Sequence, residues 1–98
     1  MKFTVKRVKK DLIGVVMDGI TDTSMIAEYA ENAREEGEEK LAGWFSMRAK
    51  ERLAMVRRDW TEAEDVLKLK EHGDELVQGM RCHIHKEIDR LANWIEKM

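Results

Sequence analysis

No proline interrupts this chain of 98 residues, and it carries only one cysteine, one tyrosine and six glycines. The lone Cys82 excludes an intrachain disulfide and fits a reducing compartment. Long apolar runs are missing too. After the basic start "MKFTVKRVKK" comes only "LIGVVM", six residues between Asp11 and Asp18. A membrane-spanning helix needs about 20 apolar residues, and a secretory signal needs a longer apolar region and a small-residue cleavage site. The expectation is a cytoplasmic protein with no membrane partner. Nor does one sign of charge dominate: 18 basic residues face 20 acidic ones, a net charge of −2. That balance supplies no general field for nucleic acid. Basic residues do cluster at Lys2, Lys6, Arg7, Lys9 and Lys10 and at Arg48, Lys50, Arg57 and Arg58. They show no helix-turn-helix spacing, so a small nucleic-acid-associated regulator stands only as an alternative.

What is present points to helices. Hydrophobic residues make up 43% and charged residues 39%, a proline-free mixture rich in strong helix formers. At 100° per residue three segments carry an apolar stripe, and nowhere is alternation sustained, so the fold class is all-α in one domain over residues 1–98. The first helix spans about residues 4–36, with Val5, Val8, Leu12, Val15, Gly19, Ile26, Ala30 and Ala33 on its stripe and Asp22 on the same face. The second spans about 38–58, with Leu41, Phe45, Ala49 and Val56 inward. The third spans about 62–97 and carries Val66, Leu69, Val77, Met80, Ile84, Ile88, Leu91, Ile95 and Met98. Gly37 can take the left-handed conformation that ends the first helix. Thr61 and Glu64 have the spacing of a capping box for the third. The cluster "DGITDTS" could break the first helix, but the stripe keeps phase across it and a continuous helix is expected.

The predicted middle helix is too short to cover both neighbours, at roughly 32 Å against 48 and 54 Å. A second apolar patch on the first helix, Ile13, Val16, Met17 and Ile20, recurs at i, i+3, i+4 and i+7. Exposed patches of this kind mark partner surfaces. The expectation is a homodimer that completes the bundle through these residues, with Trp44 as a further anchor.

Ala33–Arg34–Glu35–Glu36–Gly37, then Leu41–Ala42, Phe45 and Ala49, resemble the first helix pair of rubrerythrins, within the ferritin-like group. The match covers roughly residues 26–56. The resemblance implies an antiparallel hairpin in a helical bundle, with a di-iron site held by carboxylates and histidines. The aligned ligand positions hold Gly19, Arg52 and Met55 instead. Arginine is a permanent cation with no lone pair for iron, so the resemblance implies the fold without its chemistry and no cofactor. Arg52 on the inward face needs a carboxylate. Counting outward from Gly37 sets it opposite Asp22, so an Arg52–Asp22 pair is expected, with Asp18, Glu75 or Glu87 as further partners.

Elsewhere, "CHIHKEID" places His83 with Glu87 and His85 with Asp89 at i, i+4. Such pairs can hold zinc or iron if another chain adds donors, the alternative to a metal-free protein. Cys82 has no pocket or base to make it a nucleophile. No glycine-rich phosphate loop or Ser–His–Asp arrangement stands out. The first expectation is a non-catalytic, homo-oligomeric helical protein of ferritin-like descent, acting by protein–protein interaction with itself or an unknown protein partner.

Overall fold

The computed structural model describes the backbone of residues 5–98 and the side chains of residues 11–98. Val5 and Val8 of the predicted stripe, and the first basic cluster, lie outside the described side chains. The described residues form three α-helices, α1 (Val5–Glu35), α2 (Glu39–Val66) and α3 (Glu75–Glu96), with a 3-10 turn at Leu69–Glu71. The helix α1 runs unbroken through "DGITDTS". Its two threonine hydroxyls are satisfied within the helix, Thr21 Oγ1 donating to the Met17 carbonyl at 3.2 Å and Thr23 Oγ1 to that of Gly19 at 2.7 Å. Gly37 ends it as expected, at φ +80°. The Gly37 N–H then donates to the Arg34 carbonyl at 3.1 Å and the Glu38 N–H to that of Ala33 at 2.8 Å. This pairing satisfies two carbonyls that a helix end otherwise leaves open.

The boundary between the second and third helices is not where the spacing predicts it. Thr61 does not cap a new helix; it lies inside α2, its Oγ1 donating to the Arg57 carbonyl at 2.9 Å. Glu64 turns into the protein instead of back toward Thr61. The break falls at Lys68, which takes the left-handed conformation at φ 52°. Asp74 caps α3, its Oδ1 accepting from the Leu76 N–H at 2.8 Å. With 28 residues in α2 against 31 in α1 and 22 in α3, the middle helix is not the short one. The length-mismatch case for a dimer therefore falls away.

The contact between α1 and α2 is a close-packed seam. On α1 it consists of Val16, Ile20, Thr23, Ala27 and Ala30, and on α2 of Ala42, Ser46, Ala49, Leu53, Val56, Trp60 and Ala63, all buried. The steps alternate between three and four residues, the spacing of helices packed at a shallow angle. Small side chains near the turn bring the backbones close. At Gly19 an added Cβ would stand 2.8 Å from Val56 Cγ2. The helix α3 lies across one flank of this hairpin, antiparallel to α2, with His85 against Trp60 and Met98 against Ser46. Its buried Ile84, Ile88, Leu91, Ala92 and Ile95 close the core. The molecule is 16 Å in its thinnest direction, the depth of two helix layers.

This packing corrects the predicted inward faces. Leu41 is exposed, Phe45 half-buried and Val15 exposed. Near the turn the seam is lined by Ala30, Ala42, Ser46 and Ala49, so Leu41 and Phe45 are displaced to the flank, and farther out Val16 takes the seam position that leaves Val15 outside.

Candidate interaction face

The hairpin has two flanks, and the structure shifts the expected role of several residues on each. The patch Ile13, Val16, Met17 and Ile20, expected to meet a partner, lies on the flank that α3 covers. Val16 and Ile20 are buried in the core and Ile13 packs against it. Met17 remains at the edge, 37% exposed. The chain therefore buries Val16 and Ile20 itself and leaves Ile13 and Met17 beside an open groove. Farther along, α3 runs beside α1, Arg90 Nη2 donating to Ser24 Oγ at 3.2 Å and the Trp94 indole to Glu31.

The opposite flank is covered by no other described element. On α1 it carries Val15, Gly19, Asp22, Ile26, Tyr29 and Ala33. On α2 it carries Leu41, Phe45, Arg48, Arg52, Met55 and Asp59. Both sets again step by four and three, so each arm of the hairpin has a second stripe in heptad register. Tyr29 and Phe45 meet across it with ring centroids 5.5 Å apart. A groove of about 630 Å³ runs between the arms, lined by Ile26, Tyr29, Trp44, Phe45, Arg52 and Met55 among others. Trp44, expected at an interface, stands at its rim and is 52% exposed. The Arg48 guanidinium lies 4.8 Å from the Trp44 ring centre, a stacking contact that holds the indole upright. Arg48 also donates to Glu51 at 2.9 Å.

Arg52 lies on this flank and not in the core. It is exposed, as is Asp22, and among the described residues no ion pair of either is found, so the expected intrachain Arg52–Asp22 pair is not formed. The physical reason is the rotation of the seam. Once Leu53 and Val56 face α1, Arg52 turns to the open side, where water solvates it at no cost in packing.

Gly19, Arg52 and Met55, the positions that the ferritin-like resemblance aligns with metal ligands, share this open flank. A hydrogen, a guanidinium and a thioether do not fit a di-iron group, which takes carboxylate oxygens and imidazole nitrogens. The other candidate ligands are not brought together either. His83 is exposed and Glu87 is held by Arg90 at 2.9 Å. Asp89 is also exposed. His85 Nε2 accepts the Trp60 indole N–H at 3.1 Å. Among the described residues no group of three His, Cys, Asp or Glu side chains is placed to hold a metal ion. Likewise, no described helix is long and apolar enough to cross a membrane. Cys82 is exposed.

Sequence reasoning missed a buried polar knot between α2 and α3. The Glu64 carboxylate, in a residue only 8% exposed, accepts from Arg81 Nε at 3.0 Å and lies 2.9 Å from its Nη2. Arg81 Nη1 donates to Gln78 Oε1 at 2.7 Å, and Gln78 Nε2 donates to the Leu69 carbonyl at 3.2 Å. His85 Nε2 stands 3.7 Å from the free oxygen of Glu64. This network ties the 3-10 turn to both helices and leaves no buried side-chain nitrogen or oxygen unpaired among the described residues. Its charges are used up in holding the fold. A second groove, about 810 Å³, opens where α1 passes the turn, with Ile13, Met17, Leu69, Val77 and Met80 on its walls. Comparison with known proteins adds no identity: no family model, curated protein or solved structure matches this chain.

Proposed function

We propose that this chain is a non-catalytic helical protein of ferritin-like descent that acts by protein–protein interaction, joining copies of itself through the uncovered flank of its hairpin. One observation carries the reading. The stripe of Val15, Ile26, Tyr29, Phe45, Leu41 and Met55 repeats at coiled-coil spacing on both arms, and among the described residues Val15, Tyr29, Leu41 and Met55 stay exposed on it with Ile26 and Phe45 half-buried between them. Exposed apolar residues scattered singly are ordinary, but two parallel stripes that flank a groove are what a bundle presents to its missing layer. The aromatic content supports the same use, because Trp and Tyr supply large contact area at low conformational cost. Aligned ligand positions that hold glycine, arginine and methionine argue against redox chemistry on this flank.

Light scattering coupled to size exclusion tests the proposal. The wild-type chain, of 11.5 kDa, is expected to run at about twice that mass at micromolar concentration. Tyr29→Glu, which sets a charge in the middle of the stripe, is expected to run as a folded monomer. A wild-type monomer at every concentration would overturn the reading.

A further inference from the structure

We infer that the open flank receives a second copy about a two-fold axis parallel to the helices, and that Asp22 pairs reciprocally with Arg52 of the partner subunit to set the register. The inference rests on the self-association proposed above and specifies its geometry.

Two hairpins can meet face to face in two symmetric ways. With the axis along the helices, both turns lie at one end and each α1 lies over the partner's α2. With the axis across them, the turns lie at opposite ends and each helix lies over its own copy. The charges on the flank choose between these. On α1 the stripe is acidic at Asp22, with Asp18 beside it; on α2 it is basic at Arg48 and Arg52, with Asp59 farther out beside Arg58. The parallel axis lays acid over base. The crossed axis centred on this level lays Asp22 on Asp22 and Arg52 on Arg52, and like charges brought together in an interface are strongly unfavourable.

The level of each residue along the hairpin sharpens the choice. Tyr29 faces Phe45 and Gly19 faces Val56. Asp22 and Arg52 therefore sit at one height between those contacts. An axis parallel to the helices preserves height, so Arg52 meets Asp22 of the partner subunit directly, and the symmetry makes the pair twice. The aromatic pairs then stack as one layer toward the turn, with Gly19 and Met55 as another beyond the charges. Both charged groups are available for this. Among the described residues neither forms an ion pair, whereas Arg48 is engaged by Glu51 and Trp44. A polar layer inside an apolar interface fixes alignment, as single polar residues do in coiled coils.

The test is a charge swap read by sedimentation equilibrium, with circular dichroism confirming that each variant is helical. Asp22→Arg and Arg52→Asp each turn both pairs repulsive and are expected to raise the dimer Kd at least about a hundredfold. The double variant D22R/R52D restores both pairs and is expected to return close to the wild-type Kd. Asp22→Asn, which removes charge without reversing it, is expected to weaken the dimer by about tenfold or more. Under the crossed axis Asp22→Asn would tighten the dimer and the swap would show no rescue. Either result, or a wild-type dimer indifferent to all four variants, overturns the register while leaving self-association in place. A wild-type monomer overturns both.

Discussion

Replacing Gly19 with alanine sets two well-measured effects against each other. In the middle of an α-helix, glycine costs about 1 kcal/mol relative to alanine. Propensity alone would therefore make Gly19→Ala stabilising. The seam opposes it: the new methyl would stand 2.8 Å from Val56 Cγ2, where carbon pairs rest at about 3.5–4.0 Å. Valine in a helix has essentially one side-chain rotamer, so relief requires the two arms to part. Overpacking of this kind costs about 1–3 kcal/mol. The net expectation is a loss of about 1 kcal/mol, a fall in Tm of about 4–8 °C for a domain of this size. Gly43 and Gly79 are the controls. Both are helical and exposed, and an added Cβ meets nothing within 4 Å at either. Gly43→Ala and Gly79→Ala should each gain about 0.5–1 kcal/mol. Thermal and urea unfolding followed by circular dichroism, at one low protein concentration to exclude linkage to association, gives all three numbers. In a Val56→Ala background the Gly19 substitution should change sign and become stabilising, a coupling of about 2 kcal/mol. Gly19→Ala as stabilising as Gly43→Ala in the wild-type background would refute the close approach of the arms.

The polar knot and the cap of α3 make smaller claims. Glu64→Ala leaves the Arg81 guanidinium, in a side chain 20% exposed, without its carboxylate and should cost about 2–4 kcal/mol. Glu64→Leu with Arg81→Met should recover most of that loss, and denaturant melts of both variants decide it. Asp74→Ala removes the side-chain acceptor of the Leu76 N–H and should cost about 1 kcal/mol. Its effect on hydrogen exchange should be concentrated in the first turn of α3.

Much of the architecture was legible in the sequence because local chemistry decided it. Gly37 stops α1 as the left-handed cap requires, and the phase of the stripe across "DGITDTS" foretold a continuous helix. The second boundary departs from the sequence expectation because Thr61 and Glu64 have capping-box spacing inside α2. Better signals were present: the seam runs in phase from Ala42 to Ala63 without a break, and Gly73–Asp74 supplies both a flexible joint and a cap. The harder failure concerned sides. Each arm of the hairpin carries two heptad stripes, one of small residues with a few larger ones and one of bulky residues, and a helical wheel weights bulk. The expected stripe mixes the two: Ala30, Ala33, Ala49 and Val56 are buried as expected, whereas Val15, Leu41 and Phe45 belong to the bulkier stripe, and including them turns Arg52 inward and the Ile13–Ile20 patch outward. Close packing rotates the buried face, since alanine and serine face each other where backbones approach. Which flank α3 would cover depends on contacts far apart in the chain, such as Arg81 with Glu64 and Arg90 with Ser24, and no local pattern reveals those.

Hydroxyl-radical footprinting at low and high protein concentration tests the open flank most directly, because the chain holds its own control. Tyr29 and Met55 are exposed on that flank at 45% and 43%, whereas Met47, 62% exposed, lies on the far side of α2. Docking across the flank should protect Tyr29 and Met55 as concentration rises and leave Met47 as reactive as before. Equal reactivity of all three at both concentrations, or protection confined to Met17 and the groove beside it, would contradict it.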